Sequence, residues 1–374
     1  NKPLEIEFKT ELNESQKAAV KFALSAEDLA IIHGPPGTGK TTTVAELIVQ
    51  AVHRSEKVLA CAPSNTAVDN LLDRLIQSGM RVVRIGHPAR ITERLRNYSL
   101  DGLVEQHENT AVIKDMIREA EMLFRQSEKW TRAKPQRGAR ESMKREAKRL
   151  MGDAKRLERQ AINSILDQAD VICATTTFNP DTLADRWFEL AVIDEACQST
   201  EPGCWVPLLR SDRVVLAGDH QQLPPTVLSS EAAQQGFAKS LMERQIELYG
   251  DDVAKMLTVQ YRMHHQIMNF SSSQFYQNEL KAHPSVVDHT LDEIAGIEPS
   301  EFSGRIMSFI DTAGAGWDEE LEPNGLSKRN PNEANLVVKK VQTLLNAGLP
   351  KNDIAVIAPY AAQVRLLRDL FAGE

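Results

Sequence analysis

The chain has 374 residues, 42% of them apolar and 26% charged, with four cysteines and a formal net charge of −8. Such a composition fits a globular chain of two or three domains and excludes a disordered, collagen-like or disulfide-stapled protein. Cys61, Cys173, Cys197 and Cys204 form no C-x-x-C pair and no cluster with histidine at metal-ligand spacing, so reduced, buried thiols are expected and a zinc module is not. No run of 18 apolar residues offers a membrane span, and the N-terminus lacks the regions of a signal peptide. A cytoplasmic or nuclear protein without membrane contact is expected.

Short runs rich in Val and Ile recur along the chain, each followed by residues of helical period: 29–33 (LAIIH), 58–62 (VLACA), 81–85 (RVVRI), 170–175 (DVICAT), 190–194 (LAVID), 213–218 (RVVLAG) and 256–259 (MLTV). Continuous apolar strands separated by helices predict α/β architecture with a parallel sheet covered on both faces. The rhythm breaks between the third and fourth strands. There Ile113, Met116, Ile117, Ala120, Leu123 and Phe124 fall on one helical face. Beyond a breaker at Pro135 to Gly138, a second stripe runs through Met143, Ala147, Leu150, Ala154, Leu157, Ala161 and Ile165. An inserted antiparallel helical hairpin is expected. It is also where the charge changes sign: residues 114–159 hold 15 Lys/Arg against 8 Asp/Glu, a local balance of +7 that leaves −15 elsewhere. A nucleic-acid-facing arm and a solvated helical face both account for that excess. Further on, 305–310 (RIMSFI) and 354–358 (IAVIA) read as strands, with helices from about Glu333 to Asn346 and Ala361 to Phe371. These begin a second βαβα unit. The expected domains are 1–90 with 168–300, the insertion 91–167, and a partial second domain 301–374.

Chemistry concentrates at the ends of three strands. HGPPGTGKTT at 33–42 satisfies G-x-x-x-x-G-K-[ST] between a strand and a helix. Its glycines, Gly34, Gly37 and Gly39, let the loop that begins at Pro35 turn its backbone N–H groups, from Gly37 and Thr38 to Thr42, and the helix N-terminus toward an anion. Lys40 suits the β- and γ-phosphates, and the Thr41 hydroxyl is a hard ligand for Mg²⁺. Asp194 and Glu195 close the strand LAVIDEA at the ligand face of such a sheet, where one can serve the metal shell and the other can take a proton from water. A third strand delivers Gly218 to Pro225, including Gln221 and Gln222, and a neutral amide there can report on a γ-phosphate. His33 and His220 read as loop or packing residues. After MLTV, Arg262 can supply positive charge to a transition state and Tyr261 a face for a base to stack on.

Taken together, these segments resemble superfamily 1 helicases of the 5′-to-3′ group that includes the nonsense-mediated-decay and immunoglobulin-mu-binding-protein helicases. LNESQKAAV (12–20) is similar to the adenine-reading Q motif, HGPPGTGKTTT to motif I, and APSNTAVDNL (62–71) to motif Ia. VIDEACQ (192–198) is similar to motif II, LAGDHQQLPPT (216–226) to motif III, and LTVQYRMH (257–264) to the arginine-bearing motif that follows. IAVIAPYAAQ (354–363) is similar to a strand of the second RecA-like domain. RVVRIGHPARI (81–91) and the placing of the hairpin point to the immunoglobulin-mu-binding branch.

The resemblance implies a RecA-like phosphate-loop domain with a helical-hairpin insertion, followed by an incomplete second RecA-like domain. It implies ATP and Mg²⁺ as cofactors and a single strand of DNA or RNA as partner, with the chain expected as a monomer. Gln16 then reads adenine, Thr41 and Asp194 hold the metal, Glu195 is the general base, and Gln222 senses the γ-phosphate. Tyr261 stacks on the base, and Arg262 contacts the γ-phosphate. Ser64, Asn65 and Thr66, with Thr176 and Thr226, face the nucleic-acid backbone; a Ser at a helix start is also a plain cap. The family's accessory barrel and the last two motifs of its second domain have no counterpart here, so nucleotide binding is expected to outlast turnover. The second reading is therefore an ATP-gated strand-binding module without productive unwinding.

Overall fold

A computed structural model of the chain describes residues 6–128, 138–294, 296–297, 303–322 and 325–372. They gather into two compact units, Asn1–Gln260 and Tyr261–Glu374. The division falls ahead of residue 300, where the sequence reading ends the first domain.

The first unit is built on seven strands: β1 (Leu29–His33), β2 (Val58–Ala62), β3 (Val82–Arg84), β4 (Val171–Thr175), β5 (Phe188–Ile193), β6 (Ser211–Gly218) and β7 (Ala254–Met256). Their order is β3-β4-β2-β5-β6-β1-β7, and every neighbouring pair is parallel. Alternate residues enter two different cores. Ile32 and Ala60 pack on one face with Ala19 and Val20 of α1 (Glu14–Ser25), Leu47 and Ile48 of α2 (Lys40–His53) and Leu71 and Leu72 of α3 (Asn65–Gln77). Ile31 and Leu59 pack on the other with Leu166, Cys204, Leu241 and Met242. Because both faces are covered, the strands read as unbroken apolar runs. Each fully buried Leu or Ile contributes about 1.5–3 kcal/mol.

Register decides where the site lies. His33 is opposite Gly218, Ile193 is opposite both Leu216 and Cys61, and Ala62 is opposite Thr175. The residues that follow β1, β2, β4, β5 and β6 therefore leave along one edge of the sheet, the ligand edge of parallel sheets.

The inserted helices are α5 (Thr110–Glu128) and α6 (Ala139–Gln168), which pack against one another after a short α4 (Leu100–Gln106). The breaker residues Pro135 to Arg137 lie outside the described residues. Ala147, Ala154 and Ala161 of α6 are buried at seven-residue spacing, as are Ile113, Ala120 and Ser127 of α5. Met143, Leu150 and Leu157 are only half-buried. Of the expected stripes, Ile113, Ala120 and the three alanines of α6 form the seam while Met143, Leu150 and Leu157 flank it, and the mostly small seam residues let two helices approach closely.

In the second unit, helices Pro331–Asn346 and Ala361–Ala372 close over a small core of Ala334, Val338 and Leu367. The strands expected at 305–310 and 354–358 are not formed: among the described residues neither segment joins a ladder, and Phe309 and Ile357 are 90% and 92% exposed. A β-rich run becomes a strand only when a neighbour takes its backbone groups. The strand expected at 256–259 is likewise shorter and broken, as Ala254–Met256 and Val259–Gln260.

Candidate active site

The loop between β1 and α2 is shaped by two glycines in the left-handed region, Gly37 at φ 79° and Gly39 at φ 73°. Gly39 caps α2, and a Cβ there would lie 2.6 Å from Gln16 Nε2. Gly34 is equally constrained, since its Cβ would meet Lys40 Cβ at 2.8 Å. Thr38 is buried and donates from its hydroxyl to the Pro35 carbonyl at 2.7 Å. α2 has no acidic residue in its first turn and opens on Lys40, an arrangement the helix dipole disfavours unless an anion sits at the N-terminus.

Opposite this loop, β5 leads directly into Asp194, which is 2% exposed. Glu195 follows at φ +54°, a left-handed conformation unusual for glutamate, and its N–H donates to Asp194 Oδ1 at 2.9 Å. Lys40 Nζ lies 2.6 Å from Glu195 Oε1 and 3.8 Å from Asp194 Oδ1. The Thr41 hydroxyl lies close enough to the Asp194 carboxylate to favour its charged form. Burial lifts the Asp194 carboxyl above the usual carboxylate range; Lys40 opposes that rise and the Glu195 charge adds to it. Burial works to lower Lys40, but the two carboxylates outweigh it and hold the ammonium above its ordinary value. Lysine, hydroxyl and two carboxylates therefore share one small polar cluster at the mouth of the glycine loop. Two hard oxygen donors brought to one place, the Thr41 hydroxyl and the Asp194 carboxylate, suit a small divalent cation such as Mg²⁺.

The segment after β6 joins the same edge. Gly34 N–H donates to the Gly218 carbonyl at 2.8 Å. Asp219 is fully buried, and its Oδ1 is 2.9 Å from His33 Nε2 and accepts from Gln221 N–H at 3.1 Å. Its Oδ2 accepts from Gln222 Nε2 at 2.8 Å. The His33 and His220 rings lie 4.7 Å apart, and burial, then proximity to His33, lowers the His220 pKa.

The other expected residues are distributed as follows. Gln16 is buried; it donates to the Thr38 carbonyl at 2.9 Å and closes a capping box with Asn13 at the start of α1. Ser64 caps α3 by accepting from Ala67 N–H at 3.1 Å, beside a half-buried Asn65 and an exposed Thr66. Thr226 is exposed, whereas Thr176 is only 3% exposed. Thr42 is half-buried in the first turn of α2. Tyr261 and Arg262 belong to the second unit; both are exposed, and the Tyr261 ring lies 4.4 Å from that of His283.

Two polar networks were not singled out from the sequence. One is the Asp219 cluster. The other centres on Arg84, fully buried, which donates to Asp69 Oδ1 at 3.3 Å, to Asn65 Oδ1 at 2.9 Å and to the Ile85 carbonyl. Asp69 Oδ2 also accepts from Thr92, from its N–H at 2.9 Å and its hydroxyl at 2.8 Å. The signal was an arginine inside an otherwise apolar strand, where a charge needs a partner.

The AAA domain family matches residues 11–230, and a second AAA domain family matches 237–374. The chain is 45% identical over 372 residues to the DNA-binding protein SMUBP-2 of Mus musculus, covering 98% of this chain and 37% of that protein. It is 38% identical over 369 residues to the DNA polymerase alpha-associated DNA helicase A of Schizosaccharomyces pombe, covering 97% and 54%. It is 36% identical over 371 residues to a regulator of nonsense transcripts 1 homolog of Neurospora crassa, covering 94% and 30%. The chain therefore spans about a third to a half of the length of these relatives. On these matches the chain belongs to the AAA-domain helicases of superfamily 1, in the group of the nonsense-mediated-decay and immunoglobulin-mu-binding proteins.

Proposed function

We propose that this chain is the motor core of a nucleic-acid-dependent ATPase that uses ATP hydrolysis to move along and unwind DNA or RNA. The observation that carries the reading is the junction of Lys40, Thr41, Asp194 and Glu195 at the mouth of the glycine loop. Helicases among the relatives support it.

The ion pair between Lys40 and Glu195 suggests how binding arms the site. A triphosphate seated on the loop offers Lys40 a stronger anionic partner. Once Lys40 turns to the phosphates, the Glu195 carboxylate loses its counter-charge and becomes a better proton acceptor for an attacking water. Thr41 and Asp194 would hold Mg²⁺, whose charge offsets that of the β- and γ-phosphates. Gln222 hydrogen-bonds the γ-phosphate and so distinguishes ATP from ADP. Gln16, fixed by the capping box, borders the loop where the adenine would be read. For Tyr261 the proposed role is stacking on the base, and for Arg262 a contact to the γ-phosphate.

Ser64, Asn65, Thr66 and Thr226 contact the sugar-phosphate backbone of a single strand through uncharged donors, an arrangement that tracks a strand without reading its sequence. Thr176, being buried, acts through the backbone fold of its loop. The proposed active form is a monomer. Among the described residues no helix is long and apolar enough to cross a membrane.

The decisive experiment measures ATP hydrolysis with and without single-stranded oligonucleotide, together with ATP binding by titration calorimetry. Strand-stimulated turnover that Glu195→Gln abolishes, with binding retained, is the expected result. Strand binding that responds to ATP without any stimulated turnover would instead establish the gated binding module. Absence of heat on mixing with ATP and Mg²⁺ would remove both readings.

A further inference from the structure

The buried Asp219 carboxylate touches neither the acid pair nor the lysine in any contact described above, yet it organises the segment after β6. It is 0% exposed, and its described hydrogen bonds come from His33 at 2.9 Å, the Gln221 N–H at 3.1 Å and the Gln222 side-chain amide at 2.8 Å. A carboxylate so placed is costly unless its lone pairs are filled. His33 is the last residue of β1, directly before Gly34, and Gln222 follows β6, so the carboxylate ties the start of the phosphate loop to the proposed γ-phosphate sensor.

We infer that Asp219, held by His33, is a positioning residue that fixes which end of the Gln222 amide is presented to nucleotide. A side-chain amide carries a donor NH₂ at one end and an acceptor oxygen at the other, and rotation by half a turn exchanges them. An ionised carboxylate only accepts, so a hydrogen bond to Asp219 Oδ2 holds Nε2 on the carboxylate side and leaves that nitrogen one further N–H. A γ-phosphate oxygen also only accepts, and therefore needs the same nitrogen. Without the carboxylate the amide is free to present its oxygen, which repels phosphate. His33 acts through Asp219: with hydrogen on Nε2 it fills Oδ1 and leaves Oδ2 for Gln222. Burial, then the His33 ring, lowers the pKa of the neighbouring His220, which disfavours a competing positive charge there.

The inference rests on the γ-phosphate role proposed for Gln222, and the test separates the two. Affinities of the whole chain for ADP and for a non-hydrolysable ATP analogue are measured by fluorescence anisotropy for Asp219→Asn, His33→Ala, His33→Gln, Gln222→Ala and the pair Asp219→Asn with Gln222→Ala. Thermal melting reports whether each is folded. Asp219→Asn is expected to weaken the ATP analogue roughly tenfold, the scale of one hydrogen bond to a charged group, with ADP affinity unchanged. His33→Ala should behave alike, while His33→Gln, which restores a donor near the position of Nε2, should recover the preference. In the double variant the losses should not add, since both act through one contact.

If Gln222→Ala erases the preference for the ATP analogue while Asp219→Asn and His33→Ala keep it, the positioning role is wrong and the sensor role stands. If Gln222→Ala leaves the preference intact, both fall. Equal losses for ADP and the analogue in Asp219→Asn would mark a purely structural carboxylate. Should Asp219→Asn fail to fold, the His33 pair decides alone: the preference must be lost with alanine and kept with glutamine.

Discussion

Replacing Lys40 by methionine tests the central cluster, because it removes the cation and keeps most of the side-chain volume. The Lys40 side chain is 10% exposed and its ammonium faces Glu195 at 2.6 Å and Asp194 at 3.8 Å, while the Asp194 side chain is 2% exposed. Without it, two neighbouring carboxylates oppose each other, one of them out of reach of water. Breaking a buried pair from one side costs about 3–5 kcal/mol, and because Glu195 keeps 27% exposure the lower end applies, about 3 kcal/mol at neutral pH. In urea unfolding this is a midpoint shift of ~1 M for a slope near ~3 kcal/mol/M. The pH dependence carries the sharper test. Burial, foremost, raises the Asp194 carboxyl above its ordinary 3.8, and losing Lys40 raises it further. A carboxyl raised in the folded state contributes stability that is complete below its unfolded value and is lost as pH rises through the folded one. The deficit of Lys40→Met relative to the native chain should therefore be small near pH 4 and grow toward pH 7.5. Adding Glu195→Gln, which removes one of the like charges, should recover part of it. A deficit independent of pH, or none at neutral pH, would show that these groups do not share one electrostatic site.

Three further outcomes follow from the same geometry. Glu195→Gln should lower the rate constant of strand-stimulated hydrolysis by roughly 10²–10⁴, as expected for loss of a general base, while a fluorescent ATP analogue binds as well as before; equal turnover would remove Glu195 from the chemistry. Gly39→Ala forces a Cβ to within 2.6 Å of Gln16 Nε2 at φ 73°, so nucleotide affinity should fall at least tenfold by calorimetry, and an unaffected affinity would mean the loop does not hold phosphate in this shape. Arg84→Met leaves Asp69 buried with only the two Thr92 donors and should cost about 3 kcal/mol in urea unfolding. Arg81→Ala, which removes the exposed partner of Asp170 three residues earlier, should stay within replicate scatter. Similar losses for the two arginines would contradict the burial argument.

The sheet was readable because burial on two faces leaves little freedom: strands such as VLACA must be apolar throughout, and the glycine loop needs its residue types in a fixed spacing. The same rule explains what was misread. RIMSFI and IAVIA have the composition of strands, but composition states a preference and a ladder requires a neighbour, which the described residues do not supply. In the hairpin, period alone could not tell seam from flank. Met143, Leu150 and Leu157 share the helical repeat with Ala147, Ala154 and Ala161, and only the close approach of α5 selects the alanines.

The acid pair and the lysine were legible one by one, since each sits at a strand end or in a spaced motif. The Asp219 and Arg84 networks were not, because a buried polar group is identified by its partner. Asp219 is 186 residues from His33, and Arg84 is 19 from Asn65. Only the sheet order, which sets β1 beside β6 and β2 one strand from β3, brings those partners into reach. What a lone sequence could have flagged is the exception in each case: a histidine closing an apolar strand at the phosphate loop, and an arginine within RVVRI. Such residues are costly to bury. Where a fold keeps one, its hydrogen bonds lead to the group it steadies, here the amide of Gln222 and the side chain of Asn65.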